Sequence, residues 1–106
     1  MIYTIDELRH IITPVTKKYG IPAVYIFGSY ARQEATDQSD VDVLIDRTGS
    51  TIRNMYDLGG LYEELRESIG KEIDLVTTQT LEQNSTKSRT PLFVDNIESE
   101  RVTIYD

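Results

Sequence analysis

Cysteine and tryptophan are absent from these 106 residues, histidine occurs once, and positive charge is scarce: 11 Lys plus Arg stand against 18 Asp plus Glu, for a formal net charge of −7. Without cysteine there is no disulfide scaffold, no thiolate zinc site and no Cys nucleophile, and a cytoplasmic location is the expectation. An excess of carboxylates repels phosphate backbones, so no direct DNA binding of the basic-patch kind is expected. An anionic substrate would need a local cation, from the protein or from a metal. No apolar run approaches the roughly 20 residues of a membrane span, and the N-terminus carries no signal-peptide pattern, so no membrane association is expected. The length predicts a single domain over residues 1–106, large enough for one core and too small for two.

What is present is periodic. Leu8, Ile11, Ile12 and Val15 share one face of a helix predicted from Ile5 to Tyr19, with Thr4 and Glu7 as its capping box. Pro14 should kink or restart it, and Gly20 should stop it. Ala23–Phe27 and Val41–Ile45 read as buried strands. Leu58, Leu61, Leu65 and Ile69 mark a second helix from about Met55 to Ile69, in which Gly59 and Gly60 would each cost about 1 kcal/mol against Ala and suggest close packing on a sheet or a kink. Glu72–Thr77 is a third strand, 79–91 mostly loop, 93–97 a short helix and Val102–Tyr105 a closing strand. This order predicts an α/β (α+β) fold with a small mixed sheet of three to four strands packed by helices.

The chemistry is concentrated in Gly28-Ser29-Tyr30-Ala31-Arg32-Gln33-Glu34-Ala35, then Ser39-Asp40-Val41-Asp42, then Asp74 in the later strand. Side chains alternate along a strand, so Asp40 and Asp42 project to one side while Val41 and Val43 face the core. Two carboxylates about 4 Å apart repel by roughly 4 kcal/mol at an effective dielectric of 20, which a cation relieves. Oxygen-only ligands suit Mg²⁺ or Mn²⁺. Asp74 lies in an apolar run that wants burial, and it completes a triad if its strand lies beside Val41–Ile45. Gly28 and Ser29 follow a buried strand where a turn exposes backbone N–H groups, a ready phosphate site, and Arg32 lies one helical turn on, able to reach the same anion or to pair with a carboxylate.

Taken singly, each feature has a plain structural explanation. The D-x-D pair fits a solvated turn entering a strand, Gly28-Ser29 an ordinary turn, and Asp74 an exposed strand end. His10 suits the surface, and Glu63-Glu64-Arg66-Glu67 a solvated helix face. Among the seven tyrosines, Tyr30 is the candidate to line a site. The combination is another matter, since seven fixed positions have a chance frequency on the order of 10⁻⁸ per start from average residue usage. Neither a P-loop nor a dinucleotide-binding glycine motif is present.

Together these residues resemble the minimal nucleotidyltransferases of the DNA polymerase beta superfamily, over nearly the whole chain. The resemblance implies the minimal nucleotidyltransferase fold, with triphosphate binding for Gly28 and Ser29 and two divalent metals, Mg²⁺ or Mn²⁺, held by Asp40, Asp42 and Asp74. These three would be the catalytic residues and ATP the substrate, with Arg32 beside the nucleotide. Gln33 departs from the pattern, which commonly has Gly there. Many such proteins are similar to the antitoxin of toxin–antitoxin pairs, in which AMP is moved from ATP to a tyrosine of a HEPN-domain toxin; that partner and reaction are implied here too. Two other readings are a module that neutralises its partner by stoichiometric binding, and transfer to a small molecule.

Overall fold

The computed structural model describes residues 2–79 and 100–106, so the readings for 79–91 and 93–97 lie almost wholly outside the described residues. Helix α1 runs Ile5–Lys18, capped by Thr4: its side chain accepts from Glu7 N at 3.1 Å, and Glu7 Oε1 accepts from Thr4 N at 2.8 Å. The expected break at Pro14 does not occur. The ring sits on the exposed side of a continuous helix, where the hydrogen bond it forfeits costs least because water reaches the freed carbonyl.

Strand β1 is Ala23–Phe27, followed at once by a four-residue helix α2, Gly28–Ala31, and then by β2, Val41–Asp46. Helix α3 covers Met55–Ile69, with Asn54 accepting from Asp57 N as its N-cap and Gly70 ending it in the left-handed conformation. Strands β3, Ile73–Thr77, and β4, Val102–Tyr105, complete a four-stranded sheet in the order β3-β2-β1-β4. Strand β1 is antiparallel to both β2 and β4, and β2 is parallel to β3, the parallel pair being joined through α3. The sheet is therefore mixed, as the element order predicts.

One face of the sheet is packed by helices. Leu8 and Ile12 of α1 and Leu61, Leu65 and Ile69 of α3 join Val24, Ile26, Val41, Val43 and Ile45 in one buried cluster, each such side chain worth about 1.5–3 kcal/mol of burial. Phe27 and Leu44 belong to the opposite face, with Tyr25 and Val76 against them. Strand alternation assigns Asp42 and Asp74 to that second face. Gly59 and Gly60 do not meet the sheet: both are exposed, and the nearest atom to a Cβ on Gly60 would be the Tyr19 hydroxyl at 3.8 Å. Nor is the Glu63–Glu67 run only a solvated face. Glu64 accepts hydrogen bonds from Lys18 Nζ at 2.5 Å and from the Tyr19 hydroxyl at 2.6 Å, tying α3 to α1. No helix among the described residues is long and apolar enough to cross a membrane.

Candidate active site

The site is assembled where β1 ends and β2 and β3 begin. Phe27, the last residue of β1, pairs with Asp42, and Asp42 in turn pairs with Asp74 across the parallel ladder. Neighbouring strands lie about 4.8 Å apart, so partners in register on one face carry their carboxylates side by side. The start of this ladder is fixed by Val41 N donating to Glu72 O at 3.1 Å. The preceding loop is held by Ser39, whose Oγ accepts from Thr36 N at 2.8 Å, and by Lys71 Nζ donating to Asp37 O at 2.9 Å. Ser39, part of the recognised run, thus acts here as a turn lock.

Asp42 is only partly exposed. Burial, then the negative charges of Asp74 and Asp40, push its pKa up from the ordinary 3.8 to about 6, while Arg32 pulls it back. Asp40 is exposed and lies just ahead of β2, contributing charge to Asp42 from outside the ladder. Of the two neighbouring carboxylates, Asp74 acts more strongly on Asp42 than Asp40 does. No three His, Asp or Glu side chains among the described residues draw together into a ready ligand cluster. The donor set itself is all oxygen and anionic, and the repulsion that raises Asp42 is the repulsion a hard divalent cation relieves, so these residues fit such an ion.

Gly28 and Ser29 open α2 directly above this pair. Gly28 has φ of 71°, and a Cβ there would lie 3.0 Å from Asp42 Cγ and nearer still to its Oδ2. Only glycine permits both the left-handed backbone and the approach to the carboxylate. No side chain caps α2, leaving its first-turn N–H groups without a side-chain acceptor. The helix ends in a Schellman motif, with Glu34 N donating to Ser29 O at 2.8 Å and Gln33 N to Tyr30 O at 3.3 Å. Gln33 occupies the left-handed position with φ of 61°, the conformation that explains the glycine expected there.

Arg32 is drawn to carboxylates. Its Nε meets Glu34 and its Nη1 meets Glu100, each at 3.1 Å. Glu100 carries no local motif, and its partnership with Arg32 was not legible in the sequence. Tyr30 does not line the site; it is buried in the core at 3 % exposure, because the inward face of α2 must cover the sheet. His10 is exposed, its Nδ1 2.9 Å from Asp6 O on its own helix.

Comparison with known proteins gives the family and the fold. A candidate protein adenylyltransferase of Methanocaldococcus jannaschii is 35 % identical over 100 residues, covering 94 % of this chain and 97 % of its own. The protein adenylyltransferase MntA of Thermococcus cleftensis is 33 % identical over 89 residues, 80 % of this chain and 88 % of the relative. Among solved structures, one described as a candidate minimal nucleotidyltransferase superposes with a TM-score of 0.66 at 24 % identity, covering 94 % of this chain and 95 % of that one. A toxin–antitoxin structure with AMP-PNP gives 0.68 at 18 % identity, over 92 % of this chain and 72 % of that one. Both likenesses carry the fold. The family model described as polymerase beta, nucleotidyltransferase, matches residues 10–106, and the chain belongs to that family of nucleotide-using transferases.

Proposed function

We propose that this nucleotidyltransferase moves AMP from ATP to a tyrosine hydroxyl of a partner protein and thereby silences it, as an antitoxin acting on a HEPN-type toxin in the cytoplasm. The observation that carries the reading is the contact of Gly28 with Asp42 combined with the register pairing of Asp42 and Asp74. It is supported by relatives named as protein adenylyltransferases and by the likeness to a toxin–antitoxin structure.

In this reading Asp40, Asp42 and Asp74 hold two Mg²⁺ ions, with Mn²⁺ able to replace them. Bound there, divalent metal supplies Lewis-acid stabilisation of charge on the phosphates and the acceptor oxygen. The chain's own groups do the rest. The uncapped N–H groups of the Gly28-Ser29 turn receive the triphosphate, and Arg32 exchanges a carboxylate partner for phosphate. The exposed Asp74 accepts the acceptor's proton as its oxygen attacks the α-phosphorus in line and pyrophosphate departs. Residues 1–106 act as one domain whose strand ends are filled by this machinery, so the acceptor is delivered on another folded surface. A tyrosine suits, because its pKa near 10 makes its oxygen easier to deprotonate than that of serine. The net charge of −7 favours a partner with a basic face, as an RNA-cleaving protein has.

The test is incubation of the chain with α-labelled ATP, Mg²⁺ and a co-encoded HEPN-type protein, followed by mass spectrometry. Adenylylated tyrosine on the partner, dependent on metal, is the expected result. A partner inhibited without modification would replace this reading by stoichiometric binding, and label confined to small molecules would replace it by small-molecule transfer.

A further inference from the structure

Resting on that reading, we infer that Tyr56 is itself an acceptor, taking a nucleoside monophosphate from the active site of a second copy of this chain. The seven tyrosines differ sharply in exposure, and three of them have their hydroxyls held by hydrogen bonds. Tyr3 donates to Ile69 O at 2.5 Å and Tyr19 to Glu64 at 2.6 Å, and the Tyr105 hydroxyl is held between Thr16 Oγ1 and Ile21 O at 2.8 Å each. Tyr30 is buried, Tyr62 packs against the core, and Tyr25 lies under the Arg101 guanidinium, 4.3 Å from the ring centroid. Tyr56 alone is 90 % exposed, beside Met55 at 80 %. Its hydroxyl makes no hydrogen bond among the described residues, so an incoming nucleotide displaces nothing but water.

Its place in the fold makes the transfer intermolecular. Tyr56 stands on the first turn of α3, which packs on the face of the sheet opposite the aspartates. Its neighbour Met55 lines a cleft with Arg47, just past the end of β2, and Thr77, the last residue of β3, whereas Asp42 and Asp74 lie at the starts of those strands. Four residues of strand are about 13 Å, and the sheet itself intervenes. A chain cannot bring its own Tyr56 to its own Asp42, but a second copy can.

The neighbouring cleft suits docking of the donor copy. Arg47 and Arg53 line that cleft of about 230 Å³, and neither makes an ion pair among the described residues. Asp57, the residue after Tyr56, accepts from Arg53 N at 3.1 Å, and Asp46, the residue before Arg47, accepts from Thr48 N at 2.9 Å. Two cations in the cleft that Met55, the residue before Tyr56, also lines complement the acidic edge formed by Asp40, Asp42 and Asp74 in the donor copy, where like charge would otherwise repel two chains of −7. In the step itself the phenol oxygen bonds to the α-phosphorus of ATP, the bond from that phosphorus to the bridging oxygen of the β-phosphate breaks, pyrophosphate leaves, and the phenol proton passes to a carboxylate of the donor copy and on to water.

The decisive experiment mixes untagged wild-type chain with a tagged Asp42→Asn chain in Mg²⁺ and ATP and reads the tagged chain by intact mass and peptide mapping. One adenosine monophosphate on Tyr56 of the tagged chain is expected, lost when that chain also carries Tyr56→Phe and retained with Tyr62→Phe. Label on another tyrosine, or none on Tyr56 from an enzyme batch that does label a HEPN-type partner, overturns the inference and leaves the proposed function standing. A batch that labels neither overturns both.

Discussion

The Asp42 carboxylate occupies the space a side chain at position 28 would need: a Cβ on Gly28 would stand 3.0 Å from Asp42 Cγ, on a backbone with φ of 71°. Gly28→Ala is therefore expected to cost about 1–2 kcal/mol from the left-handed backbone alone. It should also push Asp42 out of register with the phosphate turn, lowering transfer on the order of 100-fold. Thermal melts and a labelled-ATP assay check the two effects separately; an Ala variant that melts early yet transfers normally would show that the close approach is structural only.

Asp42→Asn should stabilise the protein in the absence of metal. Because the folded-state pKa lies near 6, above the ordinary 3.8, ionising this group costs stability: the cost is absent below pH 4, grows between pH 4 and 6 and is complete above. Allowing for solvent screening of a half-exposed side chain, it amounts to about 1 kcal/mol. Urea midpoints in EDTA for both proteins should coincide at pH 4 and separate at pH 7, the Asn variant being higher, while its transfer activity falls on the order of 1,000-fold. Equal midpoints at pH 7 would mean that the carboxylates do not strain the apo fold.

Divalent metal should reverse that strain, and the reversal should depend on pH. Below about pH 6 an ion must displace the proton that Asp42 holds in the apo state, so the rise in melting temperature given by Mg²⁺ with a non-hydrolysable ATP analogue should be small at pH 5 and reach a plateau above pH 7. A shift independent of pH would separate metal binding from Asp42.

Gln33→Gly should stabilise the chain by about 0.5–1 kcal/mol, the relief of a left-handed residue less the added freedom of glycine in the unfolded chain. Transfer should be unchanged, since the Schellman hydrogen bonds at Tyr30 O and Ser29 O survive. A lower denaturation midpoint would show that the Gln33 side chain contributes more than its backbone costs.

Arg32→Ala should leave stability within about 0.5 kcal/mol, because its partners Glu34 and Glu100 are solvent-exposed ion pairs. The KM for ATP should rise about tenfold, the worth of one charge-assisted contact, with kcat near that of the parent. An unchanged KM would confine Arg32 to tying α2 to the start of β4.

Much of this molecule is determined locally. The start of α1 and the bounds of β1, α3 and β4 coincide with runs whose period, caps and stop signals lie within a few residues of one another: Thr4 with Glu7 for α1, Asn54 with Asp57 and Gly70 after Ile69 for α3. The candidate residues of the first segment are legible for the same reason, since Gly28, Ser29, Asp40 and Asp42 share one strand–turn–strand stretch. Tertiary structure alone decided that Asp42 faces Asp74, because the register of two strands joined through α3 follows from which residues the helices bury, namely Val41, Val43 and Ile73, and no local pattern encodes that alignment. It likewise turned Tyr30 inward, brought Glu100 to Arg32 and left Tyr56 exposed on the first turn of α3. Periodicity says which side of an element is apolar. Which charges meet across the apolar layer, and how far apart two polar groups end up, depends on how whole elements pack.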